Sequence, residues 1–243
     1  MDSYSLYAGQ LLSFTEHFAP KGHTACAGCG VALAVRHMYK ALDGAIDSFD
    51  KARWQIPWNE NLLIAAQSAA ENPPSLLTIA KPGGDAVLQI CFDNEVPSKK
   101  VDTSALFKKL PAIAAASGCI YAATACPSHP FDLVEKVRRG YAAAGSAFIH
   151  ILCPCPPAWQ FEPDSTVKLG RLAVETRMFP LYEIIDGYYT ITCEQKSPRP
   201  LKEYLARQAR FASIKGKKAE ALQNEVDAAF AALKDKTRIA MGV

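Results

Sequence analysis

The sequence predicts an α/β fold: a doubly wound, mostly parallel sheet with a helical C-terminal tail. Four apolar runs have the length and β-branched content of buried strands, and helical patterns separate them. The expected strands lie at 87–92, 120–124, 147–153 and 181–185, and the expected helices between them at 104–117, 130–144 and 164–176. Strands that alternate with helices imply right-handed crossovers and a parallel sheet covered on both faces.

Three further helical regions flank these elements. Apolar residues at spacings of three and four predict an amphipathic helix at 31–42, and residues 45–85 read as short elements broken by turns. Residues 200–210 and 215–236 are helical by composition, and the second carries an apolar stripe on Leu222, Val226, Phe230 and Leu233. We expect that stripe to pack on this domain or on a partner subunit.

The composition limits the size of the hydrophobic core, the kinds of binding partner and the cellular compartment that we expect. A chain of 243 residues that is 49% hydrophobic can bury one sizeable core. A net charge of +3 is too balanced to indicate nucleic acid or an anionic membrane as a partner. No run of about 18 apolar residues is present to span a bilayer. The N-terminal segment carries Asp2 and Glu16 where a signal peptide would be basic and then apolar, so we expect a cytoplasmic protein.

Two pairs of cysteines are the strongest chemical signal. In a reducing cytosol the eight cysteines are not expected to form a disulfide framework, so clustered ones are metal candidates. Cys26 and Cys29 form a C-x-x-C loop with glycines at the start of the 31–42 helix, whose N-terminus favours negative charge. Cys153 and Cys155 follow a predicted strand, at the sheet edge where ligands bind. Four thiolates suit either an iron–sulfur cluster or zinc.

Other interpretations of these cysteines stay open from the residues alone. Cys153 and Cys155 are equally consistent with packed thiols, because free cysteine is commonly buried, and a redox pair is a third possibility. The remaining cysteines lie in or beside predicted strands and are expected to be structural. They are Cys91, Cys119, Cys126 and Cys193.

Polar residues at the end of the first predicted strand are a second candidate site. Asp93, Asn94 and Glu95 follow that strand, and we expect them at the same edge as the cysteines. Taken by themselves, these residues are better explained as an ordinary strand-to-helix turn. His23 precedes the C-x-x-C loop and could donate a hydrogen bond to a bound anion.

These segments together resemble a known family. The motif Gly22-His23-x-x-Cys26-x-Gly28-Cys29-Gly30, the strand end at 90–95 and the segment 148–156 are similar, in order, to the β subunit of pyruvate and other 2-oxoacid:ferredoxin oxidoreductases. The resemblance extends over residues 19–42 and 87–211. It includes the segments 171–176, 180–183 and 200–204.

The resemblance implies a fold, cofactors and partners. It implies a thiamine-diphosphate-binding-like domain at 1–211, followed by a helical tail at 212–243. Such a subunit binds thiamine diphosphate with magnesium and one [4Fe–4S] cluster. It works with α-, γ- and δ-type subunits to convert a 2-oxoacid to acyl-CoA, with electrons passed to ferredoxin.

The resemblance also assigns ligand and cofactor-binding roles to individual residues. Cys26, Cys29 and Cys155 match three cluster cysteines, and Cys153 is the candidate for the fourth. The residues expected to approach the cofactor are His23, Gly28, Gly30, Asp93 and Asn94.

This sequence departs from the family pattern in one region. It is shortened between 44 and 100, has no cysteine between Cys29 and Cys91, and lacks the Gly-Asp-Gly whose aspartate holds the magnesium. The family's Asn-Thr-Gly is replaced by residues 96–99. We therefore expect a subunit of an oxidoreductase complex whose own thiamine chemistry is unresolved. The alternatives are a non-catalytic structural subunit that pairs with an active paralogue, and a zinc-binding protein.

Overall fold

One open sheet organises the part of the chain that the computed structural model describes, residues 25–42, 75–81, 84–95 and 109–240. Its strands are β1 (Ser75–Ala80), β2 (Val87–Asp93), β3 (Tyr121–Ala125), β4 (Ala147–Leu152), β5 (Leu181–Ile185) and β6 (Tyr188–Cys193). The helices are α1 (Gly30–Leu42), α2 (Leu110–Ala116), α3 (Pro130–Ala142), α4 (Pro156–Trp159), α5 (Thr166–Glu175), α6 (Leu201–Leu205) and α7 (Lys217–Ala240). Short 3₁₀ turns lie at Pro163–Ser165 and Ala209–Phe211.

The sheet is parallel at its centre and antiparallel on both sides. The strand order is β1-β2-β4-β3-β5-β6, with parallel pairing of β4 to β2 and to β3. The pairings β1–β2, β3–β5 and β5–β6 are antiparallel. The α/β class is confirmed, but the expectation of a mostly parallel sheet is correct only for the three central strands.

The hairpin at one end of the sheet explains part of this difference. β5 and β6 are joined by Asp186 and Gly187, whose φ angles are 50° and 84°. Two successive residues with positive φ form the tight turn that matches the twist of an antiparallel pair. The next strand therefore returns directly, without a crossover helix. The sequence patterns predicted neither β1 nor β6.

Helices cover both faces of the sheet, as a doubly wound fold requires. Side chains alternate between the two faces along each strand. On one face, α1 and α3 pack on residues such as Ile90 and Ile149. On the other, α2 and α7 pack on residues that include Phe148 and Ile184. The central strands are consequently buried on both sides.

The C-terminal half of the chain folds over the carboxyl end of the sheet. A third apolar cluster joins α5 and α6 to Trp159 and Tyr204. Leu222, Val226 and Phe230 of α7 are buried, so the predicted stripe packs on its own chain. No helix among the described residues is long and apolar enough to cross a membrane.

Candidate functional site

The C-x-x-C segment forms a tight turn that requires a glycine. The amide of Cys29 donates to the carbonyl of Cys26 at 3.1 Å, and Gly28 between them has a φ of +68°. A Cβ on Gly28 would lie 2.3 Å from the carbonyl oxygen of Pro163. Both the left-handed backbone and the close approach therefore exclude a side chain here. Thr166 fixes the same turn by donating from Oγ1 to the carbonyl of Gly28 at 2.6 Å.

Gly30 joins this turn to the second cysteine pair. Its amide donates to the carbonyl of Pro154 at 3.1 Å. A Cβ on Gly30 would lie 2.6 Å from that carbonyl oxygen and 2.8 Å from the carbonyl carbon of Cys153. The C-x-x-C turn is thus in backbone contact with the segment that follows β4.

Three thiols meet where these segments touch. Cys26 is exposed, and Cys29 and Cys155 are half-buried. Burial raises the pKa of the Cys155 thiol, and its proximity to the thiols of Cys29 and Cys26 raises that pKa further. The three cysteines, all at least partly exposed, therefore form one patch at this contact, with Cys155 in electrostatic range of the other two thiols.

The patch is not arranged around one metal ion. Among the described residues, no group of three or more histidine, cysteine or acidic side chains is placed to hold one. Zinc would need its sulfur ligands at about 2.3 Å from a common centre.

Cys153, the candidate fourth ligand, lies elsewhere. Its side chain is buried in the cluster of apolar residues beneath α1, and its thiol donates to the carbonyl of Ile151 at 3.5 Å. Burial raises the pKa of this thiol well above its ordinary value, with Cys126 and Asp93 adding to the effect. The side chain therefore has the environment of a packed thiol.

A cavity of about 360 Å³ opens beside the C-x-x-C turn. Cys26 and Cys29 line it together with Arg36 from α1 and Asp164 from the turn before α5. Arg36 and Asp164 therefore place one positive and one negative charge beside the two thiols.

Asp93 ends β2 at the same edge of the sheet, but its carboxylate is already bonded. Its Oδ2 lies 2.9 Å from Nε2 of His150, and its Oδ1 accepts from the amide of Glu95 at 2.9 Å. The carbonyl of Asp93 accepts from the amide of Cys153 at 2.7 Å. The side chains of Asp93 and His150 are 4% and 2% exposed, so this pair lies inside the protein.

The segment after Asp93 is fixed by residues that the sequence did not single out. Trp159 donates from Nε1 to the carbonyl of Asn94 at 2.6 Å. Arg210 pairs with the carboxylate of Glu95 at 3.0 Å, and its guanidinium lies 3.8 Å from the centre of the Trp159 ring. Glu95 has a φ of 43°, which is unusual for a residue with a side chain. Only the Trp-containing turn after Cys155 could have suggested part of this arrangement.

The predicted site residues are thus divided by the fold. Cys26, Cys29 and Cys155 come together, with Gly28 and Gly30 at their backbone contacts. The other expected residues are placed differently: Asp93 and Cys153 are buried, the carbonyl of Asn94 is bonded to an indole, and His23 lies outside the described residues.

Comparison with known proteins identifies relatives over most of the chain. A scan against protein-family models finds none that matches. The pyruvate synthase subunit PorB of Methanothermobacter marburgensis is 31% identical over 275 aligned positions, which cover 87% of this chain and 96% of that protein. PorB of Methanocaldococcus jannaschii is 29% identical over 87% of this chain and 94% of its own length. The ketoisovalerate oxidoreductase subunit VorB of Pyrococcus furiosus is 27% identical over 88% and 91%.

These alignments also show where the chains differ in length. The 275 aligned positions exceed the residues contained in 87% of a 243-residue chain. The alignment must therefore open gaps in this chain, which agrees with a segment shorter than in its relatives.

Proposed function

Because this chain belongs to the family of β subunits of 2-oxoacid:ferredoxin oxidoreductases, we propose that it is the electron-transfer subunit of such a complex. In this proposal Cys26, Cys29 and Cys155 hold a [4Fe–4S] cluster, and ferredoxin is the electron acceptor. The chain would work in the cytoplasm beside α-, γ- and δ-type subunits.

One observation carries the proposal: the backbone contact of Gly30 with Pro154, which brings the two cysteine segments together. The backbone of Gly30 lies so close to Pro154 that no Cβ would fit between them. The backbone itself therefore holds the two cysteine segments side by side. The turn also lies at the N-terminal end of α1, a position that favours bound negative charge. A bound cluster would supply one-electron transfer, for which three thiolates are suitable ligands.

The structure gives no support to Cys153 as the fourth ligand. Its thiol would have to leave an apolar core and ionise, and burial opposes both. We propose that the three exposed or half-buried thiols are the ligands from this chain.

The described residues do not fit the magnesium and diphosphate that the family implies. Magnesium needs an octahedral shell of oxygen ligands. Asp93 is the buried carboxylate at the expected edge, and its two oxygens are engaged by His150 and by the amide of Glu95. The carbonyl of Asn94 is bonded to Trp159. We therefore propose that this chain binds thiamine diphosphate with magnesium weakly or not at all, and that another subunit performs the decarboxylation.

Anaerobic purification with metal analysis tests the cluster. We expect iron and acid-labile sulfide, and an absorption shoulder near 400 nm, as iron–sulfur thiolate sites give. Cys155→Ser should lower the iron content strongly. Cys153→Ala should leave it unchanged because that thiol lies in the apolar core.

Cys193→Ser is the matched control. This cysteine is also half-buried, but it lies on β6 and accepts a hydrogen bond from Gln195, which a serine can also accept. A colourless protein with stoichiometric zinc would refute the cluster and support the zinc-binding alternative. Equal iron loss in the Cys155→Ser and Cys193→Ser variants would show that the effect is not specific to the proposed ligand.

A further inference from the structure

A second cavity lies on the opposite face of the sheet from α1. It has a volume of about 140 Å³ and lies among α7, the β5–β6 hairpin and the start of α2. Its walls are largely apolar and rich in rings; they include Phe179, Tyr182, Tyr189, Phe230 and Leu233. Tyr182 and Tyr189 stack with their ring centres 6.1 Å apart, which makes one wall flat.

The charged residues at this cavity are all basic. Lys109, Arg177 and Lys236 line it, and no acidic side chain is among the described residues that do. Glu194, which directly follows β6, forms an ion pair with Lys234, and neither residue lines the cavity. An apolar cavity with three cations at its walls is suited to an anion that has an apolar part.

One side-chain donor of Arg177 has no hydrogen-bond partner among the described residues. Its Nη2 donates to the carbonyl of Gln195 at 3.3 Å, and its guanidinium carbon lies 4.3 Å from the centre of the Phe230 ring. The Nε atom is buried and has no hydrogen-bond partner among the described residues. Buried donors are almost always satisfied in native proteins, so this guanidinium beside the cavity is not fully hydrogen-bonded among the described residues.

We propose that this cavity binds a small carboxylate that carries one ring-sized apolar group. The cavity volume supports the size, since an engineered apolar cavity of about 150 Å³ holds benzene. The aromatic walls would contact the ring, and the guanidinium of Arg177 would receive the carboxylate in a charge-assisted hydrogen bond. Lys109 and Lys236 would add electrostatic attraction at the mouth.

Benzoate is the probe, titrated into the purified full chain with any subunits that accompany it. Saturable one-to-one binding by calorimetry is the expected result. Benzyl alcohol has the same ring without the charge. It should bind about tenfold or more weakly, because a hydrogen bond to a charged group contributes about 1.5–3 kcal/mol. Acetate, which lacks the ring, should also bind more weakly.

Two variants test the site itself. Arg177→Met keeps a long apolar side chain but removes the charge, and should weaken benzoate binding by about tenfold or more. Ala232→Leu exchanges one strong helix former for another on the exposed side of α7 and adds a side chain at the cavity wall, so it should block binding without unfolding the protein. Lys234→Met, on the same helix but outside the cavity, is the control and should bind benzoate as the unmodified chain does.

The result does not depend on the cluster, because no cysteine in the described part of the chain lines this cavity. No saturable binding to the unmodified chain would overturn the proposal. So would equal affinity for benzoate and benzyl alcohol, or Arg177→Met and Ala232→Leu variants that bind benzoate normally. Iron content, measured on the same samples, tests the cluster independently. A failure of benzoate binding can therefore be distinguished from a failure of the proposed function.

Discussion

Replacing Gly30 with alanine should both destabilise the fold and loosen the cysteine site. The added Cβ would lie 2.6 Å from the carbonyl oxygen and 2.7 Å from the nitrogen of Pro154, so backbone atoms rather than flexible side chains must move. Overpacking of this kind costs about 1–3 kcal/mol. Loss of the amide hydrogen bond to Pro154 adds about 0.5–1.5 kcal/mol.

A gain in helix propensity opposes these costs. Alanine is better than glycine in a helix by about 0.5–1 kcal/mol, and Gly30 is the first residue of α1. The net loss is therefore about 0.5–4 kcal/mol. The melting temperature should fall by about 2–4 °C for each kcal/mol. Urea unfolding monitored by circular dichroism measures the free energy, and iron analysis of the same preparation measures the site.

Gly84→Ala is the matched control, because a Cβ at Gly84 meets nothing within 4 Å. The Gly30→Ala variant should lose iron and stability together, while the Gly84→Ala variant keeps both. If the two variants are equally stable and contain equal iron, the contact between the cysteine segments is not what organises the site.

Two further predictions concern buried ionisable groups. Arg210→Met removes the guanidinium from the buried carboxylate of Glu95, whose ion pair is 5% and 10% exposed, and should cost about 3–5 kcal/mol in urea unfolding. Arg199→Met, at an exposed pair, should change stability little, and a similar loss in both variants would contradict this reasoning. Burial raises the pKa of Cys126 to about 11, so the folded state keeps a proton that the unfolded state loses as pH rises above 9. The stabilising contribution of this thiol is complete below pH 9 and should fall by about 2–3 kcal/mol as pH approaches 11. Unfolding at a series of pH values should show this fall in the unmodified chain relative to Cys126→Ala, and parallel curves would refute it.

Local periodicity made the individual elements predictable. β5 has the predicted bounds 181–185, and α3 at Pro130–Ala142 lies within the predicted 130–144. Both follow from the spacing of apolar residues a few positions apart. Whether two strands pair parallel or antiparallel depends on segments that lie far apart in the sequence, so local patterns do not predict it. The antiparallel β1 and β6 were missed because a short strand at an edge carries little pattern of its own.

Buried polar contacts are a second feature that local sequence patterns do not predict. Lys136 lies on α3 with its side chain 1% exposed, and donates to Asp132, to Thr192 and to the carbonyl of Thr124. Asp132 is one helical turn away and could have been inferred. Thr192 is 56 positions along the chain on β6, a strand that the sequence did not predict. A lysine that reads as a solvated helix residue is therefore buried by a contact that no local pattern encodes.

The two halves of the expected cofactor site differ for a related reason. The cysteine half depends on glycines, whose backbone requirements are visible in the sequence as the motif Cys26-x-Gly28-Cys29-Gly30, and the fold brings this motif to Cys155. The half that was expected to supply carboxylate ligands depends on the hydrogen-bond partner of the Asp93 side chain. That partner is His150, 57 positions later, and the pairing withdraws the carboxylate from the edge of the sheet. A position can therefore keep the residue type of a metal ligand while its side chain serves the protein interior. Restoring a magnesium site here would require releasing Asp93 from His150 as well as supplying the missing ligands. The proposal that electron transfer persists in this chain while thiamine chemistry does not therefore rests on the different placement of these two sets of residues.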